Sequence, residues 1–522
     1  MCRVRDFLGK RFHPNAYKHL MPSDGYAPLN SDFDSFFTRR LKRRMEECFA
    51  QPVTGVAGRT ILILDRYTPD YNQTQITLGT LTRALNVSSY NYLGFAQARG
   101  GCADAVEEGI KLYGVTTCGS RLEGGSSDLH TVTENLVAKF LGTEDSLVSS
   151  MGFATNSTFI PALVSKGCLV ISDELNHASI RFGVRQSGAS VRMFRHNNVK
   201  SLETLLREVI SQGQPKTHRP WKKILLIVEG LFSMEGTMID LPAIMVLKEK
   251  YKFYLFIDEA HSIGGIGQHG RGVADYYGVD PQKIDVLMGT FTKSFGAAGG
   301  YLAGKKSIID RLRVYSYSGP YAEAMPPPVL TQIIASMASI MGVTESIPFS
   351  HLTASSFSGD HHPGPISQRY IPAWLPLPPE LSSGVEGRER LRRLSFNSYY
   401  LHRGLDKLGF ITYGHPSSPI VPMLIFSPGK MMMFHRMMKD RETPIVTVVV
   451  DYPATPLQTS RVRFCVSASH TKEDIDTILR ACDELGDILD LKHGLKKRER
   501  WTMDEVSRRA VELVNMPDEE RQ

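Results

Sequence analysis

The chain has 522 residues, 42% hydrophobic and 22% charged, the composition of a soluble globular protein too long for one average domain. Its 61 basic and 54 acidic side chains leave a net charge of +7, mild and dispersed, which gives no sign of a nucleic-acid surface. Seven cysteines without a CxxC pair or a close Cys/His set exclude a disulfide framework and a zinc site, and no metal is expected.

The opening MCRVRDFLGKRF carries charges every few residues and no apolar stretch, so it is not a secretory signal. No window reaches the ~18 apolar residues a membrane-spanning helix needs. Residues 31–49, SDFDSFFTRRLKRRMEECF, place Phe33, Phe37, Leu41 and Met45 at four-residue spacing among arginines and Lys42. That spacing predicts an amphipathic helix with a basic face. It would lie on a membrane surface, or pack on the protein's own core or a partner subunit; the two readings stand level.

From about Ile61 short β-rich runs alternate with helical stretches: LVISDE at 169–174, KILLIVEG at 223–230, FYLFIDEAH at 253–261 and IDVLMGTF at 284–291. Runs apolar on both faces and separated by helices predict an α/β fold, its mostly parallel sheet covered by helices on both sides. Ligands then belong at the carboxyl ends of the strands. Residues 343–388 interrupt this pattern with seven prolines from Pro348 to Pro379 and no periodicity, and are expected to be a disordered insertion. The pair His361 and His362 within it is expected to hold no metal. A smaller α+β domain should follow, with a helix from Arg390 and strands at PIVTVVVDYP and RVRFCVSAS. The expected partition is an N-terminal basic arm at 1–60, a large domain at 61–342, the insertion at 343–388, a small domain at 389–495 and a charged tail at 496–522.

Asp258 and His261 close an apolar strand and so emerge at the sheet's carboxyl edge. A carboxylate there suits the pyridine nitrogen of pyridoxal phosphate, which must stay protonated for the ring to accept electrons; His261 would meet the ring's phenolic oxygen. Similar strand ends occur in nucleotide hydrolases, but the chain has no GxxxxGK[ST] loop. Lys293 follows 35 positions later, after a strand ending in GTFTK, and reaches the same edge. Set among hydroxyls and glycines, it reads as an amine that forms a Schiff base with a carbonyl cofactor. Thr290 and the free amides of Gly152 and Phe153, opening a helix in SMGFATNS, are candidates for its phosphate. His177 in DELNHASI stands where an imidazole stacks on a planar ring, and Ser233 in EGLFSMEG reaches the edge too. Arg463 in RVRFCVSAS is a candidate for a substrate carboxylate, with Arg461 as competitor.

The motifs DELNHAS, EGLFSMEG, IDEAHSIG, GTFTKSFGAAGG and DYPATP, in this order, resemble the α-oxoamine synthase family of fold-type I pyridoxal phosphate enzymes. Within it, the chain looks like the lysine-bearing large subunit of the eukaryotic enzyme that joins L-serine to palmitoyl-CoA, over roughly residues 1–342 and 389–495. The resemblance implies pyridoxal 5'-phosphate as cofactor, with Lys293 as Schiff-base lysine, Asp258 as pyridinium partner, His177 as stacking residue and His261 as phenolate partner. It implies Ser233, Thr290, Gly152 and Phe153 as further cofactor contacts. Arg463 would bind the substrate carboxylate, and Thr455, with Pro453 and Ala454, would belong to a mobile substrate loop. The implied reaction is a decarboxylating condensation of L-serine with palmitoyl-CoA to 3-oxosphinganine, coenzyme A and carbon dioxide, the first step of sphingolipid biosynthesis. Implied partners are a non-catalytic large subunit, a small activating subunit and a membrane surface, at the cytosolic face of the endoplasmic reticulum. Such relatives carry a membrane-spanning helix ahead of an RDFL-like segment, here at residues 5–8. The segments SSDLH and SYSGPYAEAMPPP depart from the family pattern and leave the acyl-chain length open. The alternatives are a cousin acting on glycine or alanine (5-aminolevulinate, 8-amino-7-oxononanoate or 2-amino-3-ketobutyrate type), a non-catalytic subunit, and a gene product inactivated by the insertion.

Overall fold

The computed structural model describes residues 2–28, 48–49, 51–70, 74–344, 364–375, 377–451, 455 and 457–517. It divides into two compact units. The larger comprises Val56–Arg59, Val87–Leu424 and Arg463–Gln522; the smaller comprises Met1–Gly55, Thr60–Asn86 and Ile425–Val462.

The larger unit is built on a seven-stranded sheet in the order Asp145–Ser149, Gly300–Gly304, Val286–Thr290, Tyr254–Asp258, Ile224–Glu229, Leu169–Asp173, Ser190–Phe194. Five strands run parallel, and Gly300–Gly304 runs antiparallel to both neighbours. The strands predicted from apolar runs are these parallel ones. Phe256 packs into a cluster with Phe159, Ile160, Ile180, Ile227 and Leu312, which fixes the helices Gly152–Leu163, Ala178–Ser187 and Lys306–Tyr315 on one face. Leu255 and Ile257 alternate with Phe256, point to the opposite face and are fully buried as well. Burying such a side chain stabilises the fold by about 1.5–3 kcal/mol, which is why these runs carry no polar alternation. The parallel strands end together at Glu229, Asp258 and Thr290.

The same unit holds the helices Val385–Leu408 and Lys472–Ile488 and the strand Ile420–Leu424. Thr471 and Asp474 form a capping box at the start of Lys472–Ile488, and Arg59 clasps Asp474 through two bonds of 2.6 and 2.8 Å. In the smaller unit the antiparallel strands Thr60–Tyr67 and Ile76–Val87 pair Thr60 with Leu85. Ile61, Ile63 and Ala84 bury a small core with Val446 of the strand Ile445–Val450.

This division differs from the expected partition. Strand Ile445–Val450, expected in a small C-terminal domain, groups with residues 60–86, because its apolar face covers Ile61 and Ile63. The insertion is in part structured: Val343–Thr344 pairs in parallel with Ile366–Ser367, and Ile366, Ile371, Leu375 and Leu381 are buried. Four spaced apolar side chains anchor a segment whose proline content argued for disorder. The expected charged tail likewise packs through Val506, Ala510 and Leu513, with Trp501 between Lys407 and Arg509. Of the amphipathic helix expected at 31–49, only Cys48 and Phe49 are described, and they are helical; its other residues, with His361, His362, Pro453 and Ala454, lie outside the described residues. No helix among the described residues is long and apolar enough to cross a membrane.

Candidate active site

Strand ends, one helix start and one loop of the larger unit bring the candidate residues together. Lys293 follows the Val286–Thr290 strand by one short turn, and its Nζ donates to Thr290 Oγ1 at 3.1 Å. Burial lowers its ammonium pKa to about 8, against the opposing pull of Asp258 and Glu229 and with help from Arg463. The amine is therefore far closer to its nucleophilic form at neutral pH than an exposed lysine is.

Asp258, on the neighbouring strand, is buried. Its Oδ1 accepts from the Ala260 amide at 2.9 Å and its Oδ2 from Asn156 Nδ2 at 2.7 Å. Two fixed donors hold one carboxylate geometry at the sheet edge. Beside it, Glu229 Oε1 accepts from the His177 amide at 2.5 Å. Burial, reinforced by the Asp258 charge, pushes the Glu229 carboxyl well above the usual range.

His177 caps the helix Ala178–Ser187: its Nδ1 accepts from the Ser179 amide at 3.2 Å and meets Ser179 Oγ at 2.7 Å. A backbone amide only donates, so Nδ1 is unprotonated and the ring proton sits on Nε2. Burial holds the imidazole neutral, with Lys293 and Arg181 acting in the same direction and Asp258 opposing. The Phe153 ring stands edge-on to His177, centroids 6.1 Å apart. His261, also buried, contacts Tyr92 Oη through Nδ1 at 2.8 Å. Burial keeps the Tyr92 hydroxyl protonated, and burial with the Lys293 and Arg463 charges holds His261 neutral.

Gly152 opens the helix Gly152–Leu163 with no side-chain cap, leaving its first amides free toward the sheet edge. A Cβ at Gly152 would stand 2.9 Å from Thr290 Cγ2, so only glycine lets this helix start sit against Thr290. Arg463 is buried; its guanidinium donates to the Ser233 carbonyl at 3.1 Å and to Tyr90 Oη, and lies over the Tyr90 ring. Its Nε is buried without a partner. Ser233 thus meets Arg463 through its carbonyl oxygen. Arg461 bonds the Thr459 carbonyl at 3.0 Å, and Thr455 belongs to the smaller unit.

These residues fit pyridoxal phosphate: an amine of lowered pKa, a fixed carboxylate, two neutral imidazoles, an open helix start for a phosphate, and a guanidinium with a spare donor. Sequence reasoning missed Tyr90, Tyr92, Asn156, Ser179 and Glu229. Three of them stood inside motifs already quoted, Asn156 in SMGFATNS, Ser179 in DELNHASI and Glu229 in EGLFSMEG. A polar side chain at the end of an apolar strand, or beside a helix start, was the available signal.

Comparison with known proteins decides the family. The model for class I and II aminotransferases matches residues 82–345 and 366–482, and skips 346–365 inside the insertion. The chain is 51% identical over 490 residues to "Serine palmitoyltransferase 2" of Schizosaccharomyces pombe, covering 94% of this chain and 74% of that one. It is 50% identical over 515 residues to the protein of that name in Saccharomyces cerevisiae, covering 98% and 85%. The chain belongs to the serine palmitoyltransferase family. Human "Serine palmitoyltransferase 3", at 44% identity over 93% of this chain and 81% of that one, is another relative. A solved structure of the family, serine palmitoyltransferase from S. paucimobilis with PLP and myriocin bound, superposes with a TM-score of 0.70 at 25% identity, covering 88% of this chain and 99% of that one. The fold extends to 8-amino-7-oxononanoate synthase from Francisella tularensis, at TM-score 0.56 and 19% identity over 78% and 98%. Serine palmitoyltransferases thus share the class I and II aminotransferase fold described above.

Proposed function

We propose that this chain is the lysine-bearing subunit that condenses L-serine with palmitoyl-CoA, releasing coenzyme A and carbon dioxide and giving 3-oxosphinganine. The observation that carries this reading is one buried cluster in which Lys293, Asp258, His177, His261 and Arg463 influence one another's charge. When bound, pyridoxal phosphate supplies the electron sink that stabilises negative charge at the serine α-carbon.

The chain's own residues do the rest. Lys293 Nζ anchors the cofactor before serine arrives, then takes the α-proton, for which an ordinary ammonium would be useless and an amine near neutrality is suited. Asp258 is held in one geometry by Asn156 and Ala260 and would meet the pyridine nitrogen. His261 directs its Nε2 proton to the phenolic oxygen, since Nδ1 is engaged by Tyr92. His177 would lie against the ring and offer its Nε2 proton to the serine carboxylate, orienting the substrate. Arg463 Nε supplies a charge-assisted bond to that carboxylate. Gly152, Phe153 and Thr290 hold the phosphate; Ser233 positions Arg463 through its carbonyl. Thr455, in the other compact unit, is a substrate-loop residue on this reading.

Partners follow the same reading: a non-catalytic large subunit completes a heterodimer, a small activating subunit joins it, and the complex works at the cytosolic face of the endoplasmic reticulum membrane. The test is purification from membranes with its partners, borohydride reduction with pyridoxal phosphate, and peptide mapping together with product mass. A pyridoxyl group on Lys293 and 3-oxosphinganine from serine are expected. Turnover of glycine without serine would assign the chain to a cousin activity; an unmodified Lys293 would make it a non-catalytic subunit.

A further inference from the structure

Asn156 lies in the first half of a helix, carries no charge and is 1% exposed, yet its amide is placed between two residues of the site. Its Nδ2 donates to Asp258 Oδ2 at 2.7 Å and to Ser179 Oγ at 3.0 Å, which uses both of its hydrogens. Ser179 is also 1% exposed, and its Oγ lies 2.7 Å from His177 Nδ1. Because Nδ1 is an acceptor, the Ser179 hydroxyl proton is the one that fills this bond. The direction of every hydrogen in the chain Asp258, Asn156, Ser179, His177 is thereby determined.

We propose that Asn156 and Ser179 are positioning residues that tie the Asp258 carboxylate to the tautomer of His177, so that the imidazole keeps its single proton on Nε2, toward the substrate. The proposal rests on the proposed function for the use of that proton, though the relay itself is a property of the protein alone. Protonating Nδ1 would turn the Ser179 hydroxyl from donor to acceptor, leaving its own proton to find another partner in a buried place, and would set the Ser179 amide against a second donor. The chain therefore opposes the imidazolium by hydrogen bonding in addition to burial. The charged and titratable groups around His177 are Asp258 and Glu229 on the strands, Lys293 beyond the next strand, Arg181 on its own helix and His261. Neither substitution replaces any of these groups, but Asn156→Ala also takes a donor from Asp258 Oδ2, so Ser179→Ala is the cleaner of the two.

The test uses the full chain freed of cofactor. Diethyl pyrocarbonate modifies neutral imidazole, and mass spectrometry of the His177 peptide across pH gives the midpoint of that site alone. Ser179→Ala should raise the midpoint by about 0.5–1 pH unit, the worth of one neutral hydrogen bond. Asn156→Ala should raise it too, because without the Asn156 donor the Ser179 hydroxyl can turn its proton away and accept from Nδ1. The double variant should match Ser179→Ala and not the sum, since the amide acts through the hydroxyl. Circular dichroism checks folding; if Asn156→Ala is unfolded, Asn156→Ser, too short to reach both partners, replaces it. Unmoved midpoints in the single variants, or additive shifts in the double, would overturn the relay. A wild type that turns over no serine would overturn the proposed function and leave this measurement intact.

Discussion

Two polar clusters in the larger unit handle charge in opposite ways. Around Arg313, every group is paired: its guanidinium meets Asp145 at 2.7 and 3.0 Å and the Ser146 carbonyl at 2.7 Å, and Arg121 meets Glu134 at 2.8 Å. The Arg313 pKa is raised by its bond to Asp145. Around Lys293 the ammonium is pushed toward neutrality, two imidazoles are kept uncharged, and buried atoms of Arg463 and Asn156 lack partners. The first arrangement serves the fold. The second keeps unsatisfied capacity that only a ligand fills, and such sites are where pKa values are shifted.

The sharpest way to break this contrast is Lys293→Ala. Removing the anchoring amine and proton acceptor should cut 3-oxosphinganine formation about 10³-fold or more, read by product mass, while circular dichroism stays unchanged. Arg313→Ala should do the reverse. Leaving Asp145 without its bidentate partner, while Glu134 keeps Arg121, should lower unfolding free energy by about 1–3 kcal/mol, read by urea titration, with turnover per folded molecule intact. If turnover fell with Arg313 and stability with Lys293, the contrast would be wrong. Arg463→Lys sits between them: the planar fork is lost but the charge kept, so KM for serine should rise about 10-fold with kcat little changed.

The contrast also explains what the sequence made legible. Asp258, His261, Thr290 and Lys293 were readable because an apolar run buried on both faces must end at the sheet edge, and whatever polar residue follows it lands there. Gly152 and Phe153 were readable as a helix start. Tyr90 and Tyr92 were not, since no strand precedes them and only the folded chain brings them to Arg463 and His261. Asn156 sits mid-turn in a helix whose register against Asp258 is a tertiary fact. In the insertion, the spacing of Ile366, Ile371 and Leu375 is the signal for the described part, and proline content alone hides it. The strand Ile445–Val450 was rightly placed as a strand and wrongly grouped, because pairing partners at residues 60–86 are distant in sequence.

A stability measurement on Lys293 itself is the most diagnostic. In the cofactor-free chain, Lys293→Met should raise stability at neutral pH by about 1–3 kcal/mol, because an ammonium that burial disfavours is replaced by an apolar side chain of similar length. The sign reverses the usual expectation for removing a charge. The folded-state pKa is about 8 against an ordinary 10.5, so below about 8 both states are protonated and the folded chain bears the whole cost. Between those values the unfolded chain binds the extra proton, and wild-type stability climbs with pH. Above 10.5 both states are neutral and that cost is gone. The stability gap between Lys293→Met and wild type should therefore be widest below pH 8 and shrink toward pH 10.5, titrations outside the cluster cancelling in the difference. A gap that stays flat across this range, in urea titrations of both chains, would mean that Lys293 is not held against its charge, and the second cluster would then be no different in kind from the first.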